Sequence, residues 1–181
     1  MLRQLTISLL LICSLISCNR TPTVETSQEV STQDVVTEGK KEFFLLYPSS
    51  VDQKFHPYSV FLEENENKSL FIKELIESLL KEIPEEPLSN PFGEGSELRA
   101  VYLLDDRSVV LDLNSKVVQD GGVENEMFKL YGIINSINYN LPQVERFKVI
   151  IDGQERETFI GHIDTSDFIP AEKSMNSDAT K

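Results

Sequence analysis

The chain has 181 residues, of which 40% are hydrophobic, and its formal net charge is −13. This length and composition suffice for one globular domain with its own core, and the negative charge argues against nucleic-acid binding. Both cysteines, Cys13 and Cys18, lie in the N-terminal segment. The remainder of the chain therefore has no thiol for a disulfide, a thiolate metal site or a cysteine nucleophile.

Residues 1–17 have the pattern of a lipoprotein signal peptide. Arg3 supplies a positive charge, and residues 5–16 form an apolar stretch of about twelve residues, too short to span a bilayer. The segment ends Leu15-Ile16-Ser17-Cys18, which resembles a bacterial lipobox. That resemblance implies attachment of diacylglycerol to Cys18 and cleavage before it, with a plain secretory signal as the alternative. We expect an extracytoplasmic protein, anchored by its acyl chains to a bacterial membrane.

Residues 18–41 are polar and lack a sustained apolar period, which predicts a flexible tether leading into a domain over residues 42–170. The apolar run Phe43–Tyr47 predicts a buried central strand, and Tyr58–Leu62 alternates as a second strand. Ser69 is the candidate N-cap of a following helix over Leu70–Ile83. The predicted core-facing residues of that helix are Ile72, Leu75, Ile76, Leu79, Leu80 and Ile83.

Residues 85–97 contain two prolines and two glycines, which predicts a long irregular connection. Connections of this length are often functional, while a plain crossover between two halves of the domain is the alternative. The sequence leaves both interpretations open.

The second half of the domain repeats the order strand, strand, helix and then adds two strands. Its predicted elements are strands Leu98–Leu104 and Val109–Leu113, a helix over Glu124–Leu141, strand Phe147–Ile151 before an Asp152-Gly153 turn, and a last strand around Thr158–Ile163. In the helix, the apolar stripe includes Leu130, Ile134 and Ile137, with Asn138 on the opposite face.

This order predicts an α+β domain with two layers, in which both helices pack on one face of a mixed or antiparallel sheet. Residues 171–181 are polar and are expected to form a disordered tail.

Five segments follow one another in an order and spacing that are fairly specific: Val101–Leu103, Val110–Leu113, Glu126 with Ile133–Ile137, Val149–Gly153 and Gly161–Asp164. In these segments the chain resembles, over about residues 42–170, the GerMN domain family of sporulation and spore germination proteins. Ser136 stands where the family more often has Thr, and this chain has one copy of a domain that some relatives carry twice.

The resemblance implies a lipid-anchored envelope protein without enzymatic activity, which acts as a binding or assembly module. The expected partners are another envelope protein, the cell wall or a second copy of the chain, and no cofactor or metal is expected. The family-motif residues, each either structural or part of an interface, are Asp112, Glu126, Asn135, Ser136, Asp152, Gly153, Gly161 and His162.

An alternative function is hydrolysis of cell-wall glycan by a pair of carboxylates, or assistance to such an enzyme. The candidate acids are Asp105, Asp106, Asp112, Glu124 and Glu126. Turn chemistry, the wetter face of a strand and the helix dipole explain the same acids without catalysis. His162 lacks a second metal ligand nearby in sequence and is more simply interpreted as structural.

Overall fold

The computed structural model describes residues 39–104, 107–119 and 121–178, all within the compact unit Val36–Lys181. The predicted signal peptide, Cys18 and almost all of the tether lie outside the described residues, as do Asp105 and Asp106. Within these ranges no helix is both long enough and apolar enough to cross a membrane.

The described chain folds in the predicted order of strand pairs and helices. The elements are β1 (Lys40–Pro48), β2 (Phe55–Glu63), α1 (Lys68–Lys81), β3 (Leu98–Leu103), β4 (Ser108–Leu113), α2 (Val123–Asn140), β5 (Arg146–Ile151) and β6 (Ile169–Pro170), followed by a short 3-10 helix at Lys173–Met175. The predicted α+β class is confirmed.

The strands form two sheets. Strands β1 and β2 make an antiparallel pair, while the second sheet has the order β3-β4-β5-β6. In the second sheet β4 and β5 are parallel and the outer pairings are antiparallel, so the sheet is mixed. The apolar run Phe43–Tyr47 therefore does not lie at the centre of a large sheet, contrary to the prediction, because helix α2 rather than a strand covers its second edge.

One hydrophobic core is shared by both helices and both sheets. The inward faces of β4 and β5 match through their parallel register, which pairs Leu111 with Val149. Leu111 is fully buried and Val149 nearly so. In β2 the predicted alternation is confirmed, since Val60 and Leu62 are buried and Phe61 is exposed.

Helix α1 begins and ends earlier than predicted. Asn67, not Ser69, is the N-cap, and its side chain accepts from the Ser69 N–H at 3.0 Å. The helix ends at Lys81 because a residue that precedes proline disfavours the helical conformation. Ile83, which precedes Pro84, was predicted to face the core but is 85% exposed.

Helix α2 is buried on more than its apolar stripe. Leu130, Ile134 and Ile137 are fully buried, as predicted. Asn138 is also buried, and its amide donates to the Val144 carbonyl at 2.8 Å, so its predicted place on an exposed face is wrong. The reason is that α2 packs against β1 and α1 at once, which leaves little of its circumference in solvent.

The segment after β5 departs from the predicted strand. The Asp152-Gly153 turn forms, with φ of 50° and 74° at its two residues, but the pairing that follows is a single bridge between Ile151 and Gln154. Thr158–Ile163 is not a strand, because the N–H groups of residues 160–163 donate to a buried carboxylate instead of a ladder. The last strand is β6, which pairs with the start of β5.

Residues 171–178 are packed on the domain and are not a disordered tail. Asn176 and Ser177 are buried, and the Ser177 N–H donates to the Phe55 carbonyl at 2.9 Å. This extra partner for the start of β2 explains why a polar segment is held in place. Residues 179–181 lie outside the described part.

Candidate functional site

The first polar cluster consists of Glu126 and residues 160–163, with Glu126 at its centre. We call this cluster the glutamate junction. Glu126 lies in the first turn of α2, where the helix dipole favours an acid, and its side chain is fully buried. The carboxylate accepts from the backbone N–H groups of Ile160, Gly161, His162 and Ile163 at 2.8 to 3.2 Å. His162 Nδ1 lies 2.7 Å from Glu126 Oε2.

This environment keeps Glu126 ionised. Burial by itself raises the pKa of the carboxyl group, but the backbone donors and His162 outweigh that effect and lower the pKa to about 2. A carboxyl group with such a pKa carries no proton to give at neutral pH, so Glu126 is unsuited to act as a general acid. Its charge instead holds the 160–163 segment in a curl around the start of α2.

Asp112, Arg99 and the Asp152-Gly153 turn form a second cluster, which we call the turn junction. Asp112 Oδ1 accepts from the Gly153 N–H at 2.9 Å, and Asp112 Oδ2 lies 3.3 Å from Arg99 Nε. Arg99 also reaches Asp152 at 3.4 Å. The turn is therefore fixed to the end of β4 by a buried carboxylate, which also supports the positive φ of Asp152.

A third cluster lies along α2, where polar side chains close the free edge of β1. Ser136 Oγ accepts from the Leu46 N–H at 2.9 Å and donates to the Gly132 carbonyl at 2.6 Å. One turn later, Asn140 accepts from the Phe44 N–H at 3.0 Å and donates to the Phe44 carbonyl at 2.6 Å. The two side chains do what a neighbouring strand would do for this edge.

Asn135 joins α2 to the C-terminal segment. Its side chain donates to the Glu172 carbonyl at 2.9 Å and to Asn176 Oδ1 at 3.0 Å, and it accepts from the Glu172 N–H at 3.0 Å. The residue is 1% exposed. All of its hydrogen bonds thus go to the chain itself.

Three polar residues with comparable roles were missed by the sequence analysis. Asn140 had a signal, since it follows Ser136 by one helical turn on the same side. Lys129 and Lys148 had none, although both are almost fully buried and bond to loop carbonyls: Lys129 Nζ donates to Gln119 at 2.6 Å and Lys148 Nζ to Thr165 at 3.1 Å. An isolated lysine in a sequence gives no indication of burial.

The three candidate carboxylates within the described residues do not share partners. Asp112 belongs to the turn junction, Glu126 belongs to the glutamate junction, and Glu124 is exposed on the first turn of α2. Among the residues that the structure describes, no group of three or more His, Cys, Asp or Glu side chains is placed to hold a metal ion. The family-motif residues are therefore brought together in separate junctions, each of which ties distant segments of the chain to one another.

The mixed α+β fold described above is that of a GerMN domain. Residues 43–157 match the model of the Germane family, described as sporulation and spore germination, and the chain belongs to this family. No curated protein matches the chain.

Solved structures agree with this assignment at the level of fold. A protein from Clostridium perfringens that is designated a lipoprotein is 17% identical with a TM-score of 0.53, over 78% of this chain and 96% of that one. The first GerMN domain of the sporulation protein GerM from Bacillus subtilis is 16% identical with a TM-score of 0.56, over 72% of this chain and 96% of that one. The tandem GerMN domains of the same protein match equally well, and there the match covers 46% of the longer chain, about half of its length.

Proposed function

We propose that this protein is a lipid-anchored, extracytoplasmic lipoprotein whose Germane domain serves the cell envelope as a binding or assembly module. The observation that carries the proposal is the engagement of the polar motif residues. Asp112, Glu126, Asn135 and Ser136 are buried and satisfied by their own chain. Residues used in this way build a scaffold, and the work of such a domain falls to its surface.

The anchor is supported by two further observations. The sequence ends its apolar N-terminal stretch at Ser17-Cys18, and a structural relative from Clostridium perfringens is designated a lipoprotein. Two or more acyl chains hold a protein stably on a membrane, whereas one chain gives only marginal binding. Stable anchoring at Cys18 suits a module that must stay at the envelope to meet its partner.

The hydrolase alternative finds no support in the geometry of the carboxylates that the structure describes. Glycosidases need one carboxyl group with a raised pKa beside a second carboxylate, and Glu126 has a lowered pKa and five donors of its own chain around it. We therefore assign no catalytic role to it.

The anchor is tested by substituting each cysteine in turn. In cells fed radiolabelled palmitate, Cys18→Ala should abolish the label and leave an uncleaved precursor, because the acylated thiol is gone. Cys13→Ala, a matched change inside the apolar stretch, should be labelled and processed like the wild type. Label that persists in Cys18→Ala would contradict the assignment of the anchor.

The role as a module is tested by cross-linking the full-length protein in intact cells. We expect a discrete product that contains either an envelope protein or a second copy of this chain, and mass spectrometry of that product decides between binding and assembly. Release of soluble glycan from purified cell wall by the wild type, with loss of that release in Glu126→Gln, would overturn the proposal in favour of an enzyme.

A further inference from the structure

The connection between α1 and β3 forms a groove lined by residues between Leu80 and Glu97, which we call the connection groove. Its volume is about 710 Å³, within the range of roughly 300 to 1,000 Å³ that is usual for ligand sites. The apolar part of its lining consists of Leu80, Ile83, Pro84, Leu88 and Phe92.

The groove is held open by bonds at both of its ends. On one side Asn90 donates to the Glu82 carbonyl at 2.8 Å, and the Ser89 N–H donates to the Pro48 carbonyl at 3.0 Å. On the other side Asn114 donates to the Gly95 carbonyl at 2.7 Å. A connection fixed in this way loses little conformational freedom when something binds to it, which favours affinity.

In this groove an apolar residue, Ile83, is exposed and a polar residue, Ser96, is buried. Ile83 is 85% exposed, although the helical period assigns it to the core. Ser96 is 6% exposed, and its Oγ is the one buried side-chain polar atom without a hydrogen-bond partner among the described residues. The exposed Ile83 and the apolar lining beside it form a surface that a bound ligand would cover.

The charges of the lining decide what kind of ligand fits. Glu86, Glu94 and Glu97 line the groove with a single cation, Lys81, and the whole chain carries a net charge of −13. Such a lining attracts cations and repels anionic lipids, phosphates and acidic peptides.

We propose that the connection groove binds an extended polypeptide segment of a partner protein, in which apolar side chains alternate with Lys or Arg. The apolar side chains cover Ile83 and the apolar wall, and the cations face Glu86, Glu94 and Glu97. An extended polypeptide presents both kinds of side chain at once. The inference rests on the proposed role as a binding module and names its surface.

The test measures peptide binding to the full-length protein in zwitterionic lipid vesicles, with protein-free vesicles as the blank. The probes are fluorescein-labelled Gly/Ser decapeptides with Leu-Lys-Leu-Lys, Leu-Glu-Leu-Glu or Ser-Lys-Ser-Lys at the centre. Binding of each peptide is measured by its fluorescence anisotropy. The first probe should bind at least tenfold more tightly than the other two, since it alone offers both apolar and cationic groups.

Variants of the groove should weaken binding of the Leu-Lys probe without unfolding the protein. Ile83→Ser should weaken it about tenfold, and Glu94→Lys several-fold, whereas Leu70→Ser, a matched change of an exposed apolar residue at the far end of α1, should have no effect.

Three results in vitro would overturn the inference. The first is equal binding of all three peptides, and the second is wild-type affinity in Ile83→Ser and Glu94→Lys. The third is self-association of the wild type in analytical ultracentrifugation that Ile83→Ser removes, which would assign the groove to a second copy of the chain. If the in-cell cross-link to an envelope protein survives in Ile83→Ser, the groove is excluded and the proposed function stands. If the wild type gives no cross-link at all, the proposed function fails.

Discussion

Glu126 shows how a fully buried charge can organise a protein when backbone N–H groups replace its hydration shell. Its partners lie 34 to 37 positions away along the chain, so the carboxylate decides the path of a segment that is remote in sequence. The curl of residues 160–163 exists because their N–H groups converge on one carboxylate, and a ladder could not form there at the same time.

The effect of Glu126 on stability should depend on pH. Its pKa of about 2, against an ordinary value of 4.5, corresponds to roughly 3 kcal/mol of stabilisation at neutral pH. Because the folded-state pKa is the lower one, this stabilisation is complete above pH 4.5 and is lost as the pH falls towards 2. Glu126→Gln should therefore cost about 3 kcal/mol in urea unfolding at pH 7 and much less near pH 2.

The matched control for this prediction is Glu124→Gln, an exposed change in the same helical turn, which should alter stability by less than about 0.5 kcal/mol. A cost for Glu126→Gln that is the same at pH 7 and at pH 2 would show that the charge of the carboxylate is not what holds the segment.

Helix α2 is the element around which the domain is built, since it packs on α1 and closes the edge of β1. Its apolar stripe was predictable from the 3.6-residue period, and Leu130, Ile134 and Ile137 confirm it. The polar contacts of α2 were not predictable, because an analysis of periodicity follows the apolar residues and assigns the polar ones to solvent. Ser136 and Asn140 are polar residues that bond to β1, and Asn138 bonds to the loop after α2. Only the tertiary structure places these partners beside them.

The closure of the β1 edge by Asn140 should be measurable residue by residue. Asn140→Ala leaves the N–H and C=O groups of Phe44 without their partner, which should cost about 1–3 kcal/mol and speed exchange of the Phe44 amide hydrogen. The amide of Leu45, which faces Tyr58 in β2, should keep its protection relative to global unfolding.

Asn140→Asp provides a second comparison, because the carboxylate still accepts from the Phe44 N–H but has no hydrogen to donate to its carbonyl. At pH 7 its cost should be at least that of Asn140→Ala, because a carboxylate oxygen then lies against the carbonyl oxygens of Phe44 and Ser136. Unchanged exchange of Phe44 in both variants would show that the side chain contributes nothing to the edge.

At the scale of the whole domain, the C-terminal segment links α2 to β2, since it contacts α2 through Asn135 and β2 through Phe55. Composition alone predicted a frayed end, because polar residues without an apolar period give no sign that other elements will bond to them. The order of strands and helices, by contrast, could be predicted as far as β5, since each of these elements has its own local pattern. The contacts between positions far apart along the chain could not be predicted from the sequence.

Removing residues 172–181 should therefore destabilise the domain. The truncation leaves the buried Asn135 amide without its partners and uncovers the start of β2, and we expect a loss of about 1–3 kcal/mol in urea unfolding. Lys173→Ala, an exposed change within the same segment, should leave stability within about 0.5 kcal/mol of the wild type. A truncated chain as stable as the full one would refute the role of this segment.

The closed edge of β1 has a consequence for aggregation. Open strand edges are templates on which other chains add strands, and they promote amyloid-like pairing at high local concentration. In the β1–β2 sheet, α2 occupies the free edge of β1. At the free edge of β2, the register turns the backbone of Pro57 outward, and proline has no N–H to donate to an incoming strand. Strand addition to this sheet is therefore disfavoured on both sides, and we expect that concentrated copies of the domain do not form fibrils through this hairpin.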